Sequence, residues 1–441
     1  MSFAENARDL PRATRAFCAE RIALAHKALL YAFLIFTFIG TQPLVVTTPE
    51  ERLAGNSLDR ISLFAMTGIG VALAWARRDQ ALAILRANRL VIAAVLFCGA
   101  SILWSDYPEL TLRRAMVLGF TTAIALGIAV SADDLRLFHA RLFGVMFFVI
   151  VFNLVATVLF PEQAVTSLGV AGIYGQKNPA GMVAMIAVVV SVTYVFGARS
   201  ASEAVFGLVG AAMAFFFLLL TLSKTSTGLC VFALGVGFLF WVAHRTGRGF
   251  ALLTLGGLVL ALAGLIGFAM VHDFEGQAML EALVSDPTFT GRDELWAFAW
   301  RSALQAPWFG HGYGAFWDVG AVNDPLVKLE PGTWLGDVDV GVINQAHDGY
   351  LELFLHVGLP MTFAAVLGFA AALFRIAGRA VTGRSAGVQA AYAMMAMLLF
   401  LNLLHNFTEA SLLMRGAPFC SVVLLMCFVG ARGRPAGEIL S

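Results

Sequence analysis

The 441-residue chain is a succession of long apolar runs separated by short polar connections. A helix that crosses the roughly 30 Å hydrocarbon core of a bilayer needs about 20 mainly apolar residues. About twelve runs approach that length, near 28–46, 60–76, 89–104, 113–130, 142–160, 179–197, 203–221, 226–243, 249–271, 349–374, 386–404 and 411–430. None alternates with period two, and a lipid-facing backbone must bond within its own segment. The pattern predicts an all-α, polytopic membrane protein with about twelve transmembrane helices.

One long polar insertion, residues 272–346, lies between the ninth and tenth apolar runs. Inside it, Leu295, Phe298 and Ala299 recur at helical spacing. They follow Thr290, a residue type favoured at helix N-caps. We therefore expect a short helix with Arg292 in its first turn, inside a single integral membrane domain.

Composition excludes a water-soluble protein. Apolar residues make up 59% of the chain and charged residues 13%, whereas soluble domains carry roughly a quarter of their residues as charge. Lysine and arginine favour cytoplasmic loops, and a cytoplasmic N-terminus places most of the 29 basic residues on one face. This assignment predicts cytoplasmic termini and a periplasmic insertion. Nothing in the charge pattern supports nucleic-acid binding.

The predicted spans are almost free of ionisable side chains. Glu352 and Arg415 are exceptions, and both lie near the predicted outer surface. Carriers that move ions usually place several ionisable groups in mid-span. The pattern argues against an ion-coupled transporter.

Several cations lie in the predicted outward connections, close to the beginning of a helix. They are Lys177 in the connection 172–179, Lys224 in the connection 222–227, and Arg113 and Arg114 after the connection 104–108. Unpaired N–H groups and the helix dipole favour anions at such positions. The alternative is that each side chain only reaches the lipid headgroups.

His347 is the main candidate for a general base. A neutral imidazole can take a proton from an acceptor hydroxyl near pH 7, and Asp348 and Glu352 follow it closely. The alternative is an interfacial histidine without a catalytic role. His311 and His405 are weaker candidates, and no ligand spacing typical of zinc occurs in the outward loops, so we expect no metal or other cofactor.

Together these segments resemble the O-antigen ligase and Wzy polymerase superfamily, in particular its exopolysaccharide-polymerase (ExoQ-like) branch. The matching segments are 104–106, 175–178, 222–225, 290–292 with Trp296, 307–317 and 346–352. The order of the Gly-Arg, Pro-x-x-Gly-x-Gly and His-x-Gly-Tyr pieces around one long loop carries most of the specificity.

The resemblance implies a GT-C-like membrane fold and an inverting, metal-independent glycosyl transfer. The donor would be an undecaprenyl-diphosphate-linked oligosaccharide and the acceptor another glycan. Partners would include the bilayer of the bacterial inner membrane, with a chain-length regulator or export complex as a further candidate.

Residue by residue, the resemblance assigns His347 as the general base and Arg292 as the arginine that holds the lipid diphosphate. Lys224, with Lys177, matches the second basic position only approximately, because Ser226 stands where relatives often have arginine. Asp348 stands where asparagine is commoner. The supporting residues are Asp348, Glu352, Tyr350 and Trp296.

The resemblance predicts a polymerase that joins lipid-linked repeat units on the periplasmic face. One alternative is a ligase that transfers the finished glycan to lipid A core or to a protein. A second is a flippase or exporter of lipid-linked sugar that catalyses no reaction.

Overall fold

The structure is a computed structural model that describes residues 12–45, 48–246, 292–329, 332–337, 342–383 and 385–432. Within these ranges the helices are α1 (Arg12–Phe38), α2 (Pro49–Ala54), α3 (Ser57–Ala76), α4 (Arg78–Ala87), α5 (Arg89–Ala100), α6 (Pro108–Ser131), α7 (Leu135–Leu159), α8 (Pro161–Ala164), α9 (Lys177–Phe196), α10 (Ala201–Leu220), α11 (Lys224–Thr246), α12 (Arg292–Ala303), α13 (Gly349–Thr382), α14 (Ala386–His405) and α15 (Pro418–Ala431). Strands β1 (Val165–Thr166) and β2 (Gly169–Val170) form one short antiparallel pair.

Eight of the described helices are long and apolar enough to cross a membrane: most of α1, then α3, α6, α7, α9, α10, α13 and α14. The pair α4 and α5, bent by 91° between Arg78–Ala87 and Arg89–Leu103, gives a ninth if it counts as one span. Shorter apolar helical segments lie at Lys224–Phe238, within α11, and at Pro418–Ala431, which is α15. The all-α, multi-pass membrane fold is confirmed. The count of twelve stays a prediction, since the run 249–271 and the first part of the insertion lie outside the described residues.

The final apolar run is shorter than predicted. Helix α15 begins at Pro418, and residues 406–417 form a folded connection. The buried side chain of Asn406 organises this connection, because its Oδ1 accepts hydrogen bonds from the backbone N–H groups of Ser411 and Leu412, each at 2.8 Å. A hydropathy pattern does not register such a polar turn next to apolar residues.

The two ends of the helix bundle differ in their polar contacts. At one end, Arg77 and Arg432 both bind the carboxylate of Asp133, and Arg136 binds Glu203 at 2.7 Å. All five residues lie in or beside connections that the charge pattern assigns to the cytoplasm. The predicted outward connections meet at the other end, where the candidate site lies.

Helix α13 is broken at Gly358, which has φ of +77° inside an otherwise helical segment. The carbonyls of Leu355 and His356, freed at the break, accept hydrogen bonds from the N–H groups of His311 and Gly312. A Cβ at Gly358 would lie 2.3 Å from the carbonyl oxygen of Trp308. The glycine-rich segment 307–314 is therefore inserted into a gap in α13, and only glycine fits at its point of closest approach.

Candidate functional site

Glu409, in the connection between α14 and α15, joins the two residues that the sequence selected. Its Oε2 lies 2.8 Å from Nδ1 of His347, and its Oε1 lies 3.1 Å from a terminal guanidinium nitrogen of Arg292. Asn178 donates a further hydrogen bond of 2.7 Å to Oε1. The other terminal nitrogen of Arg292 donates to the Thr408 carbonyl at 2.8 Å. Arg292 and His347 are thus brought together by a buried carboxylate.

The environment of Glu409 determines the tautomer of His347. Burial raises the pKa of Glu409, but the hydrogen bond from His347 and the charges of His347 and Arg292 outweigh burial and hold this pKa below its ordinary value. The carboxylate is therefore ionised at neutral pH, and an ionised carboxylate only accepts hydrogen bonds. It follows that Nδ1 of His347 carries the proton. In the neutral imidazole, Nε2 then has a free lone pair that can take a proton from a hydroxyl.

The peptide units on both sides of Ala346 fix the backbone just before His347. Nε1 of Trp296 donates to the Ala346 carbonyl at 3.0 Å, and the Ala346 N–H donates to Oε2 of Glu352 at 2.8 Å. Nε1 of Trp317 donates to the same carboxylate oxygen at 3.0 Å. His347 itself has φ of +51°, a left-handed conformation that a residue with a Cβ adopts at some cost. Backbone strain of this kind persists where the surrounding contacts impose it.

Asp348 and Tyr350 support the helix rather than contacting the imidazole. Oδ1 of Asp348 accepts hydrogen bonds from the N–H groups of Tyr350 and Leu351, and so caps the N-terminus of α13. Burial raises the pKa of Asp348, and these two hydrogen bonds oppose the effect. The Tyr350 hydroxyl donates to the Leu403 carbonyl on α14.

Gly349 ties the His347 segment to the Glu409 connection. Its N–H donates to the Asn406 carbonyl at 2.7 Å, and a Cβ added there would lie 1.8 Å from Oδ1 of Asn406. The backbone at the start of α13 therefore approaches the end of α14 more closely than any residue with a side chain allows. This approach sets the distance between His347 and Glu409.

A cavity of about 830 Å³ opens beside the pair His347 and Glu409, and both residues line it. Its other lining residues come from the segments 42–59, 176–182, 314–318, 344–356 and 405–418, and from Arg114 and Val117 on α6. A volume in the range of roughly 300 to 1,000 Å³ is typical of ligand sites. A second histidine–glutamate pair lines the same cavity, with Nε2 of His356 lying 3.2 Å from Oε1 of Glu352.

The two lysines predicted to contact a diphosphate do not line this cavity. Lys177 is half-buried at the start of α9, where its neighbours Gln176 and Asn178 reach the cavity wall instead. Lys224 is exposed at the start of α11. Arg292 is not among the lining residues either and reaches the wall only through its ion pair with Glu409. Two other arginines do line the cavity, Arg114 and Arg415.

Glu409 was not among the residues selected from the sequence, although it contacts both His347 and Arg292. It lies 62 positions after His347 in the chain, and distance along a sequence carries no information about spatial contact. A local signal was available in the dense polar stretch Asn402 to Ser411 between two apolar runs. Within the stretch from Asn402 to Ser411, the sequence pattern selects only His405 as a candidate.

Two comparisons with known proteins match parts of this chain that include candidate site residues. Residues 209–367 match the family model described as O-antigen ligase, a range that includes Arg292, His347 and Glu352. The chain is also 24% identical over 266 residues to the exopolysaccharide production protein ExoQ of Rhizobium meliloti (strain 1021). The predicted resemblance to the O-antigen ligase superfamily is confirmed.

The ExoQ alignment covers 59% of this chain and 60% of that relative, so the chain matches less than two thirds of the relative's length. Glu409 and Arg415 lie beyond the O-antigen ligase match. The contacts of Glu409 therefore add chemical detail outside the matched range.

Proposed function

We propose that this protein is a membrane glycosyltransferase that lengthens a polysaccharide on the periplasmic face of the bacterial inner membrane. The donor would be an undecaprenyl-diphosphate-linked glycan and the acceptor another lipid-linked repeat unit. The observation that carries the proposal is the Glu409 carboxylate in contact with both His347 and Arg292 at the wall of an 830 Å³ cavity.

On the acceptor side, His347 would act as general base. Glu409 holds Nδ1–H at 2.8 Å, which orients the ring and stabilises the imidazolium that forms. Nε2 takes the proton of the acceptor hydroxyl while its oxygen attacks the anomeric carbon. The bond from that carbon to the diphosphate oxygen breaks on the opposite side, so the configuration at carbon inverts.

On the donor side, the departing diphosphate gains negative charge, which fixed cations stabilise in the transition state. The resemblance assigns this role to Arg292. A guanidinium has five N–H donors, and the two contacts to Thr408 and Glu409 leave others for a phosphate oxygen.

The test is incubation of purified protein with a synthetic lipid-diphosphate oligosaccharide, with product length read on a gel. We expect a ladder of longer glycans, with or without a chelator. His347→Ala and Arg292→Ala should each abolish the ladder while the protein still reaches the membrane. Full product from either variant would refute the assignment of that residue.

A ligase of the same superfamily is the second candidate, favoured by the description of the matched family. Polymerase and ligase share donor chemistry and differ in the acceptor. A gene deletion separates them. Accumulation of single repeat units indicates a polymerase, whereas long polymer retained on its lipid carrier indicates a ligase.

A flippase without catalysis remains the alternative from another class. It predicts that His347→Ala leaves transport intact, and that reconstituted protein moves lipid-linked sugar across vesicles without lengthening it. The contact of His347 with a buried carboxylate gives the imidazole an acid–base environment that this alternative does not use.

A further inference from the structure

The cavity beside His347 is lined by more carboxylates than basic side chains, which restricts where an anionic ligand can bind. Five carboxylates line it: Glu51, Asp59, Asp318, Glu352 and Glu409. Carboxylates suit the hydroxyl groups of a sugar, because each oxygen accepts hydrogen bonds. A diphosphate would be repelled from these positions and needs a cationic part of the wall.

Arg415 provides that part. Its guanidinium is half-buried and lines the cavity, and among the described residues it has no hydrogen bond or ion pair of its own. Burial lowers the pKa of Arg415, since desolvation destabilises the cation, and Tyr313, Asp318 and Glu352 oppose this effect. A desolvated guanidinium of this kind is stabilised by an anion that forms two parallel hydrogen bonds.

The backbone of Arg415 is held firmly in place. Its N–H donates to the hydroxyl of Tyr313 at 3.1 Å, and that hydroxyl donates to the Leu413 carbonyl at 2.6 Å. Tyr313 is fully buried, and its own N–H donates to Oγ of Ser101 at 2.9 Å. These hydrogen bonds fix the backbone of Arg415, and a preorganised binding group needs a fixed backbone of this kind.

Arg114 adds a second positive charge at the same place. Its terminal nitrogens donate to the carbonyl oxygens of Gly314, Trp317 and Asp318. Its Nε is buried and has no hydrogen-bond partner in the described part of the chain. Carbonyl oxygens orient the guanidinium but leave its net charge in place.

A second, smaller cavity of about 270 Å³ meets the first at these arginines. Two arginines and one carboxylate line both cavities, together with four uncharged residues: Arg114, Arg415, Asp59, Gly55, Asn56, Val117 and Gly416. The smaller one runs between α1, α3 and α6. Arg60 and Arg113 also line it, and its apolar part is formed by Phe33, Phe36, Leu63, Phe64, Met116 and Phe120. Phe64 is 59% exposed and Met116 is 40% exposed on helices long enough to span the bilayer. The apolar cavity therefore opens towards lipid.

We propose that Arg415 binds the diphosphate of a polyprenyl-diphosphate-linked donor at the junction of the two cavities. The first isoprene units would enter the apolar cavity and the glycan the acidic one, towards His347. This inference rests on the proposed function and adds to it a binding residue outside the matched family range.

The experiment uses the full chain in lipid nanodiscs and a long-chain polyprenyl diphosphate without sugar as the probe. We expect Arg415→Ala to raise its Kd by about ten- to a hundredfold, the range for lost hydrogen bonds to a charged group. Arg415→Lys keeps the charge without the planar fork and should give an intermediate Kd. Arg301→Ala, an exposed arginine on α12, is the matched control and should bind like wild type.

The outcomes separate this inference from the proposed function. Equal Kd values for wild type and Arg415→Ala, with product still lost in His347→Ala, would refute the role of Arg415 and leave the transferase standing. No probe binding by wild type, together with full product from His347→Ala, would refute both. Should Arg415→Ala lower the melting temperature, Arg415→Gln repeats the test with a side chain of similar length. Inorganic pyrophosphate should compete with the probe in wild type and lose that ability in Arg415→Gln.

Discussion

At the scale of single residues, the pair His347 and Glu409 determines the acid–base chemistry available to this protein. The imidazole gains a defined tautomer because an ionised carboxylate accepts its Nδ1–H. Glu409 in turn stays ionised despite burial because His347 and Arg292 lie beside it. The three side chains depend on one another, so a change in one alters the protonation of the others.

Glu409→Gln should lower kcat by about a hundredfold or more, within the range for a general base that has lost its orientation. The amide cannot hold the imidazolium as a carboxylate does. Product formation over a range of pH is the measurement, with Glu162→Gln, an exposed residue on α8, as the control. Unchanged kcat in Glu409→Gln would contradict the role of the carboxylate.

The lowered pKa of Glu409 also predicts a pH dependence of stability. A carboxyl whose pKa is depressed on folding contributes stability above its unfolded pKa of about 4.3. That contribution is lost as the pH falls through the folded pKa. The melting temperature of wild type should therefore exceed that of Glu409→Gln at neutral pH, and the difference should shrink below about pH 4. If the difference in melting temperature grew on acidification, the pKa of Glu409 would be raised on folding instead of lowered. Groups that do not contact Glu409, such as Asp348 with its raised pKa, act alike in both proteins and cancel.

At the scale of elements, the break in α13 separates a site-bearing segment from a membrane-spanning one. Segment 349–357 carries Glu352 and His356 to the cavity, and the helix continues beyond Gly358 to Thr382. The inserted segment 307–314 fills the gap and carries Tyr313 towards Arg415. The break in α13 therefore positions both the segment 349–357 and the segment 307–314 at the candidate site.

Gly358→Ala should destabilise the protein by about 1 to 3 kcal/mol, because alanine is strained at positive φ and its Cβ would meet the carbonyl of Trp308. Gly378→Ala in the same helix is the control, since nothing lies within 4 Å of its added Cβ. Thermal unfolding in detergent measures both. Equal melting temperatures for the two variants would mean that the break tolerates a side chain.

The elements differ in how far the sequence predicts them. Runs such as 179–197 and 203–221 coincide with α9 and α10 because apolar length alone defines a span. The helix at Arg292–Ala303 follows from the spacing of its buried positions, Leu295 and Ala299. The start of α15 does not follow from hydropathy, because Asn406 forms hydrogen bonds that a residue average cannot represent.

The sequence also predicts only part of the candidate site. His347 and Arg292 lie in short motifs at the two ends of the described part of the polar insertion, so motif and position select them. Glu409 could not be paired with them, since that contact depends on the tertiary approach of Gly349 to Asn406. Lys177 and Lys224 match their motifs by position in the chain, while the direction of each side chain is set by helix packing.

At the scale of the whole molecule, polar connections at each end contact one another, as alternation of spans across a bilayer requires. Asp133 with Arg77 and Arg432 lies at one end of the bundle. Glu409 with Arg292 lies at the other end. The distribution of lysine and arginine assigns the first end to the cytoplasm. The assignment stays a prediction until it is measured in cells.

Single cysteines report the orientation directly. Val322 is 88% exposed in the insertion, and Gln80 is exposed on α4 at the other end. We expect Val322→Cys to react with a membrane-impermeant maleimide in cells with a permeabilised outer membrane, and Gln80→Cys to react only after lysis. The described native cysteines, Cys98, Cys230, Cys420 and Cys427, are buried and give a low background. The reverse labelling pattern would invert the topology.

The close approach of Gly349 to Asn406 has a consequence for protein engineering. Under the proposed function, replacing the insertion with that of a relative would bring in a new candidate base without the carboxylate and the 402–417 connection that contact it here. A working hybrid should exchange residues 292–358 and 402–417 as one unit, because the backbone contact of 2.7 Å between them leaves no room for mismatched partners.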